Sequence, residues 1–259
     1  MKILSFGGGV QTVTMAVMAC RGDIPMPDVA IFADPQWETK STYDYILGFE
    51  PYMKKHGLKF VKATRGNIRA NALDGKRWAS MPLYTVNEDG KKGMLRRQCT
   101  TDFKVQVVYK EVRNQLGMKR FQRVKGQHEM WLGISIDEAT RMKDSRVKWC
   151  VNRYPLIEKG MSRQDCLNYL RKYGFVIPPK SACIGCPFHS DDYWRALKKN
   201  SPAEFEDACS FDDQIRDSTQ KGIKNPVFIH SQRKPLREVK FEHGQIEAFQ
   251  NECEGHCGV

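Results

Sequence analysis

Long hydrophobic runs are missing from this sequence. Its apolar stretches extend only a few residues, as in Val29-Ala30-Ile31-Phe32-Ala33. A helix that crosses a bilayer needs about 20, so a membrane span is excluded. Internal repeats, low-complexity segments and heptads are also missing, which disfavours solenoids, disordered chains and coiled coils. The opening Met1-Lys2-Ile3-Leu4-Ser5-Phe6-Gly7-Gly8-Gly9 has too short an apolar segment and too much glycine for a secretory leader. The expectation is a cytoplasmic protein with no membrane contact. Acidic charge is scarce as well: 30 Asp and Glu face 42 Lys and Arg, a formal net charge of +12.

The surplus charge is concentrated. Residues 91–125 carry eleven basic and two acidic side chains, so this one window holds +9 of the total. It runs from Lys91 and Lys92 through Arg96, Arg97, Lys104, Lys110 and Arg113 to Lys119, Arg120, Arg123 and Lys125. Such a cluster attracts a polyanion or binds phosphates, and tRNA or DNA is the expected partner.

Cysteine, by contrast, is plentiful. The nine are an odd number and no secretory leader is expected, so a disulfide framework is disfavoured and metal or redox chemistry is expected instead. Cys183-Ile184-Gly185-Cys186 spaces two thiolates for one zinc ion, one iron–sulfur cluster or a dithiol couple. Cys253 and Cys257 form a second pair close to Val259, where a thiol can swing into a pocket and out again.

Residues 1–65 alternate strand and helix signals: strand 3–6, helix 10–20, strand 29–33, helix 39–56, strand 59–63. That order predicts an α/β fold with a Rossmann-like, doubly wound, mainly parallel sheet. Residues 64–98 lack periodicity and read as a long loop over the strand ends. Helices are expected over 101–116, 162–173, 191–199 and 202–217, and a further strand over 129–134. Ser162 and Asp165 mark a helix start. The expected organisation is an α/β nucleotide-binding domain over 1–160 and a helical, cysteine-bearing region over 161–259 packed on the same domain.

Between the first strand and first helix lies Ser5-Phe6-Gly7-Gly8-Gly9-Val10-Gln11-Thr12. Three glycines let backbone N–H groups converge on an anion at a helix N-terminus, and Thr12 can add a hydroxyl. No Gly-Lys-Ser/Thr follows, so this is not a Walker loop, and it is not the dinucleotide G-x-G-x-x-G.

These residues resemble the PP-loop superfamily, the adenine-nucleotide α-hydrolases that include phosphoadenosine phosphosulfate (PAPS) reductases. Ser5 to Thr12 looks like the pyrophosphate loop. Phe32-Ala33-Asp34-Pro35-Gln36-Trp37-Glu38 with Thr42-Tyr43 looks like the segment after strand two. Gln98-Cys99-Thr100-Thr101-Asp102-Phe103-Lys104-Val105 is similar to a Cys-x-x-x-x-Lys-Val helix start. Gly133-Ile134-Ser135-Ile136-Asp137-Glu138-Ala139-Thr140-Arg141 is similar to the Gly-x-Arg-x-x-Glu-Ser-x-x-Arg segment, and Tyr154-Pro155-Leu156-Ile157, 162–169 and the CxxC follow in the family's order. The chain departs from the pattern at Gln11, where the superfamily's loop has Asp, and at Gly7, where it has Ser. The tail matches only in His256-Cys257-Gly258.

The resemblance implies ATP or PAPS with magnesium, its phosphates at Ser5, Gly7, Gly8, Gly9, Gln11 and Thr12. Asp34, Glu38 and Gly133 would complete the nucleotide site, with Lys104 and Arg141 as clamps for developing phosphate charge. It also implies a 4Fe–4S cluster, or zinc in its place, on Cys99, Cys183 and Cys186. The fourth ligand is left open among Cys209, Cys253, Cys257 and a free iron position. Two reactions follow. In one, ATP is cleaved to AMP and pyrophosphate, a base carbonyl of a nucleic acid is adenylated, and a sulfur donor or another nucleophile displaces AMP. In the other, Cys257 attacks the sulfur of PAPS or APS, and sulfite is released with a thioredoxin-like reductant. Three glycines and the basic window favour the first; Gln11 and the tail favour the second. A catalytically degenerate nucleotide-binding subunit is the third reading.

Overall fold

The computed structural model describes residues 1–74, 81–119 and 121–241. Five parallel strands form the main sheet: β1 (Lys2–Ser5), β2 (Val29–Asp34), β3 (Phe60–Thr64), β6 (His128–Trp131) and β7 (Cys150–Arg153), in the order β3-β2-β1-β6-β7. The α/β, Rossmann-like expectation is met. Strand order reverses between β1 and β6, and an open parallel sheet leaves its ligand crevice outside the strand C-termini at such a point.

The pleat sends alternate residues to opposite faces. Leu4, Phe6, Ala30, Phe32 and Trp131 meet α1 (Val10–Arg21), α2 (Lys40–Lys55) and α6 (Arg163–Lys172) on one side. Ile3, Val29, Ile31 and Met130 meet Val107, Val108 and Val112 of α4 (Gln106–Gln115) on the other. All six residues of β2 are buried, as a strand covered on both faces requires. α5 (Pro155–Glu158) follows β7, and α6 starts with a capping box in which Ser162 and Asp165 exchange hydrogen bonds.

Residues 64–98 depart from the expected loop. They contain α3 (Ile68–Leu73), β4 (Tyr84–Val86) and β5 (Lys92–Met94), and β4 also pairs with β8 (Val227–Phe228) in a three-stranded antiparallel sheet. Elements this short span fewer than two periods of a hydrophobic pattern, and β4 is completed by residues about 140 positions away. A third apolar cluster joins them: Trp37, Ile68, Met81, Leu83 and Phe103 pack with Ile184, with Trp194 of α7 (Asp191–Asn200) and with Phe205 and Phe211 of α8 (Pro202–Ile215). The expected 101–116 helix is a single π-helical turn, Thr101–Val105, running into α4. Among the described residues no helix is long and apolar enough to cross a membrane.

Candidate active site at the C-terminal edge of the parallel sheet

The glycine loop joins β1 to α1 at this edge. Gly8 has a φ of +78°, and a Cβ there would lie 2.9 Å from Ile46 Cδ1, so loop and α2 are in contact only because the side chain is hydrogen. Gly9 is the N-cap of α1 and supplies no side-chain oxygen. The first intrahelical bond runs from Val13 N–H to Gly9 O at 2.9 Å, which leaves the N–H groups of Val10, Gln11 and Thr12 outside the helical ladder. The Thr12 hydroxyl donates inward to Gly9 O at 3.3 Å.

Gln11 lies across the strand reversal from the segment after β6. Its Nε2 donates to Glu138 Oε2 at 3.4 Å, and the same carboxylate oxygen is 2.8 Å from Arg141 Nη1. Burial pushes the Glu138 carboxyl up, while Arg141 pulls it down. Gln11 Oε1 and Ser135 Oγ are fully buried and make no hydrogen bond to the described residues. A buried polar atom left so costs about 1–3 kcal/mol, so both atoms call for a ligand or water. Gly133, two residues before Ser135, is buried in the same segment, and Ser5 is buried at the end of β1.

Asp34 ends β2, as expected, and its carboxylate is well supplied. Tyr43 Oη and the Gln36 N–H each donate to Oδ1 at 2.7 Å, and Lys62 Nζ lies 2.9 Å from Oδ2. Gln36 turns through a φ of +56° to bring its N–H round. Burial and Asp34 together raise the Tyr43 phenol, so it remains a donor. Glu38 is buried 3.7 Å from Lys104 Nζ and accepts from Ser181 Oγ at 3.3 Å.

Lys104 leads to the cysteines. Cys99, Cys183 and Cys186 line one cavity of about 30 Å³, together with Lys104, Arg97 and Phe188. A bridge between Glu38 and Cys183, and the Ile184 N–H bonded to Trp37 O at 2.8 Å, fasten the CxxC to the end of β2. Gly185 is required there, because a Cβ would fall 2.2 Å from Trp37 Cη2. His189 Nε2 lies 2.9 Å from the Cys183 carbonyl oxygen and so braces the turn. Three thiols are the donor chemistry of a soft metal, yet the cavity has room for only a water molecule or two. Among the described residues no three His, Cys, Asp or Glu side chains are placed to hold a metal ion. A cluster therefore requires this cavity to widen.

The other described cysteines have different surroundings. Cys209 is fully buried in the third apolar cluster, and burial pushes its thiol up to about 11. Cys20 and Cys150 are pushed up to about 11 by the same cause, the condition of inert thiols. Cys253 and Cys257 lie outside the described residues. The basic window follows α4 from the site edge towards the far edge of the sheet. Lys104 faces Glu38, and Arg113 donates to the carbonyls of Lys119 and Gln122 at 3.2 and 2.7 Å; Arg120 is outside the described residues.

Sequence reading singled out Gln11, Asp34, Glu38, Lys104 and Arg141, and all five are drawn to this edge, whereas Glu138 figured only inside a quoted motif. It missed Lys62, Ser181, Ser135 as an orphaned hydroxyl, and Arg97 with Phe188. Lys62 left a faint signal, a lysine among the apolar residues of its strand; Arg97 stood out only for its charge and Ser135 only as a motif member, and Ser181 and Phe188 left none. The fold and site thus define a doubly wound α/β protein with an anion-suited glycine loop and an adjoining thiol cavity. No protein-family model matches the chain, and no curated protein matches it.

Proposed function

We propose that this chain is a PP-loop enzyme related to the PAPS reductases, with its cysteine-bearing C-terminal region packed on the nucleotide domain. It cleaves ATP to AMP and pyrophosphate and couples that cleavage to sulfur transfer or another modification of a nucleic acid. The observation that supports this most is the pair of orphaned atoms, Gln11 Oε1 and Ser135 Oγ, beside the first turn of α1 at the strand reversal. These groups suit the phosphates and sugar of a nucleotide. In the reaction, a carbonyl oxygen of the acceptor base attacks the α-phosphorus and the bond to the β-phosphate oxygen breaks. Pyrophosphate leaves with that electron pair, and the sulfur of a hydrosulfide ion then attacks the activated carbon and displaces AMP with the carbon–oxygen electron pair. Arg141, oriented by Glu138, and Lys104, oriented by Glu38, stabilise the charge that develops on the phosphates. A cluster on Cys99, Cys183 and Cys186 would supply a sulfur- or electron-exchanging centre beside the nucleotide, whereas a zinc ion there would only hold the thiolates in place. Magnesium would enter with the nucleotide's phosphates.

One feature favours the sulfonucleotide reductase reading: Gln11 is neutral where an ATP pyrophosphatase of this superfamily has Asp. The two readings separate in one assay on anaerobically purified protein. ATP and PAPS are offered in turn, each with and without bulk tRNA and DNA, while AMP plus pyrophosphate and sulfite are measured. Pyrophosphate from ATP, raised by nucleic acid, is the expected result. Sulfite from PAPS, lost in Cys257→Ser, replaces it with the reductase. Zinc without iron in such a preparation rules out the cluster.

A further inference from the structure

A second cavity, about 310 Å³, opens on the α4 face of the sheet beside β6 and β7, separate from the thiol cavity. The π-turn divides the two. Phe103 and Lys104 line the thiol side, and Thr101 and Val105 line the larger cavity. Arg141 reaches the larger one too, so one side chain connects it to Glu138 and, through Glu138, to Gln11 at the glycine loop.

The volume is that of a small-molecule site, and the lining is specific. Tyr109 and Tyr154 present aromatic rings. Tyr109 is held from behind by Trp149, ring centroids 5.3 Å apart, and its hydroxyl lies 3.3 Å from Ser145 Oγ. Tyr154 is locked at its far end, accepting from the Lys143 N–H at 2.9 Å and donating to the Lys143 carbonyl at 2.6 Å. Two carboxamides, Gln106 and Asn152, also line the cavity. Asn152 Nδ2 donates to Lys143 O at 2.8 Å, whereas its buried Oδ1 makes no hydrogen bond to the described residues. Lys143 and Arg146 are exposed where the lining meets solvent, with the exposed Asp144 carboxylate between them in the sequence, so the mouth keeps one net positive charge. Rigid aromatic walls, carboxamides that match the edges of a heterocycle, an unmet acceptor and cations at the mouth together describe a receptor for a nucleobase carrying a phosphate.

We infer that this cavity receives one unstacked nucleotide of the acceptor strand, its base between Tyr109 and Tyr154 and its phosphates on Lys143 and Arg146. The inference rests on the nucleic-acid reading above and specifies where that substrate enters. A base in this position would approach the nucleotide site past Arg141.

Binding is tested on the full chain without ATP, so that it is read independently of cleavage. The probes are the four nucleoside 5′-monophosphates and fluorescein-labelled single-stranded pentanucleotides of RNA and DNA, followed by anisotropy and by quenching of tryptophan emission. The expected result is that a pentanucleotide binds more tightly than any monophosphate. Lys143→Ala with Arg146→Ala should weaken the strand at least tenfold and lower the slope of log K against log salt by about 1.4, two phosphate contacts at about 0.7 each. Gln106→Trp, which fills the cavity from an exposed position, should weaken it comparably, with near-ultraviolet circular dichroism confirming that both variants fold. Strand binding unchanged in both variants, or no binding of any probe, overturns the inference. Equal affinity for monophosphates and strands also overturns it and assigns the cavity to a free nucleotide. Failure of the ATP reading appears separately, as absence of pyrophosphate release by the unaltered protein.

Discussion

Gly185 has no side chain because Trp37 fills the space a Cβ would need. The indole cannot step aside: its Nε1 donates to Asp207 Oδ2 at 2.5 Å, and its ring packs edge-on to Phe211 with centroids 4.7 Å apart. Gly185→Ala should therefore cost about 1–3 kcal/mol, the usual penalty for overpacking a filled site, and should move the thiols of Cys183 and Cys186 apart. Urea unfolding reads the first effect and the rate of thiol alkylation the second. A variant as stable as the parent would show that Trp37 is free to shift. The same pairing explains how a tryptophan in the segment after β2 serves the site without contacting substrate, since it sets the position of the CxxC.

At the scale of single elements, α6 offers a clean test. The Asp165 carboxylate accepts from the Ser162 N–H at 2.9 Å and from its hydroxyl at 2.6 Å, and these bonds hold it below the ordinary aspartate value. A carboxyl lowered by folding contributes stability above its unfolded value, near pH 3.9, and loses that contribution as pH falls through the folded value. Asp165→Asn should be less stable than the parent at pH 6, and the gap should close as pH falls through the lowered folded value. A gap that is constant with pH, measured by urea unfolding, would refute this. The Ser162–Asp165 start was legible because a cap is written in adjacent residues. The same holds for α1, β2, α2 and β3, each at least five residues long, and for β1, whose apolar run is closed by three glycines. β7 was not legible: four residues with two faces half covered leave too little alternation to read. Nor was the π-turn, since one widened turn leaves the spacing of Phe103, Val107 and Val108 within helical tolerance. In the site, charged residues inside motifs were legible, whereas Lys62 and Ser181 gain their meaning only from Asp34 and Glu38, far along the chain.

Across the whole molecule, the third apolar cluster binds early and late segments together. Trp37, Ile68, Met81, Leu83 and Phe103 come from the first half, while Ile184, Trp194, Phe205, Phe211 and Val227 come from the last third. A chain ended at residue 180 would leave the first set without its cover. It should bind a hydrophobic dye and self-associate on gel filtration, and a cooperative melt within a few degrees of the full chain would contradict that.

The order of the main sheet has a consequence for synthesis. β1 is made first and ends at the centre, with β2 on one side and β6 on the other. On a ribosome its second edge stays unclaimed until residues 128–131 have emerged, when half the chain has been translated. An open parallel edge of apolar residues is an invitation to neighbouring chains. Yield of native protein should thus depend on how quickly the stretch from β3 to β6 follows, which makes the pace of translation between residues 64 and 131 a determinant of its fate.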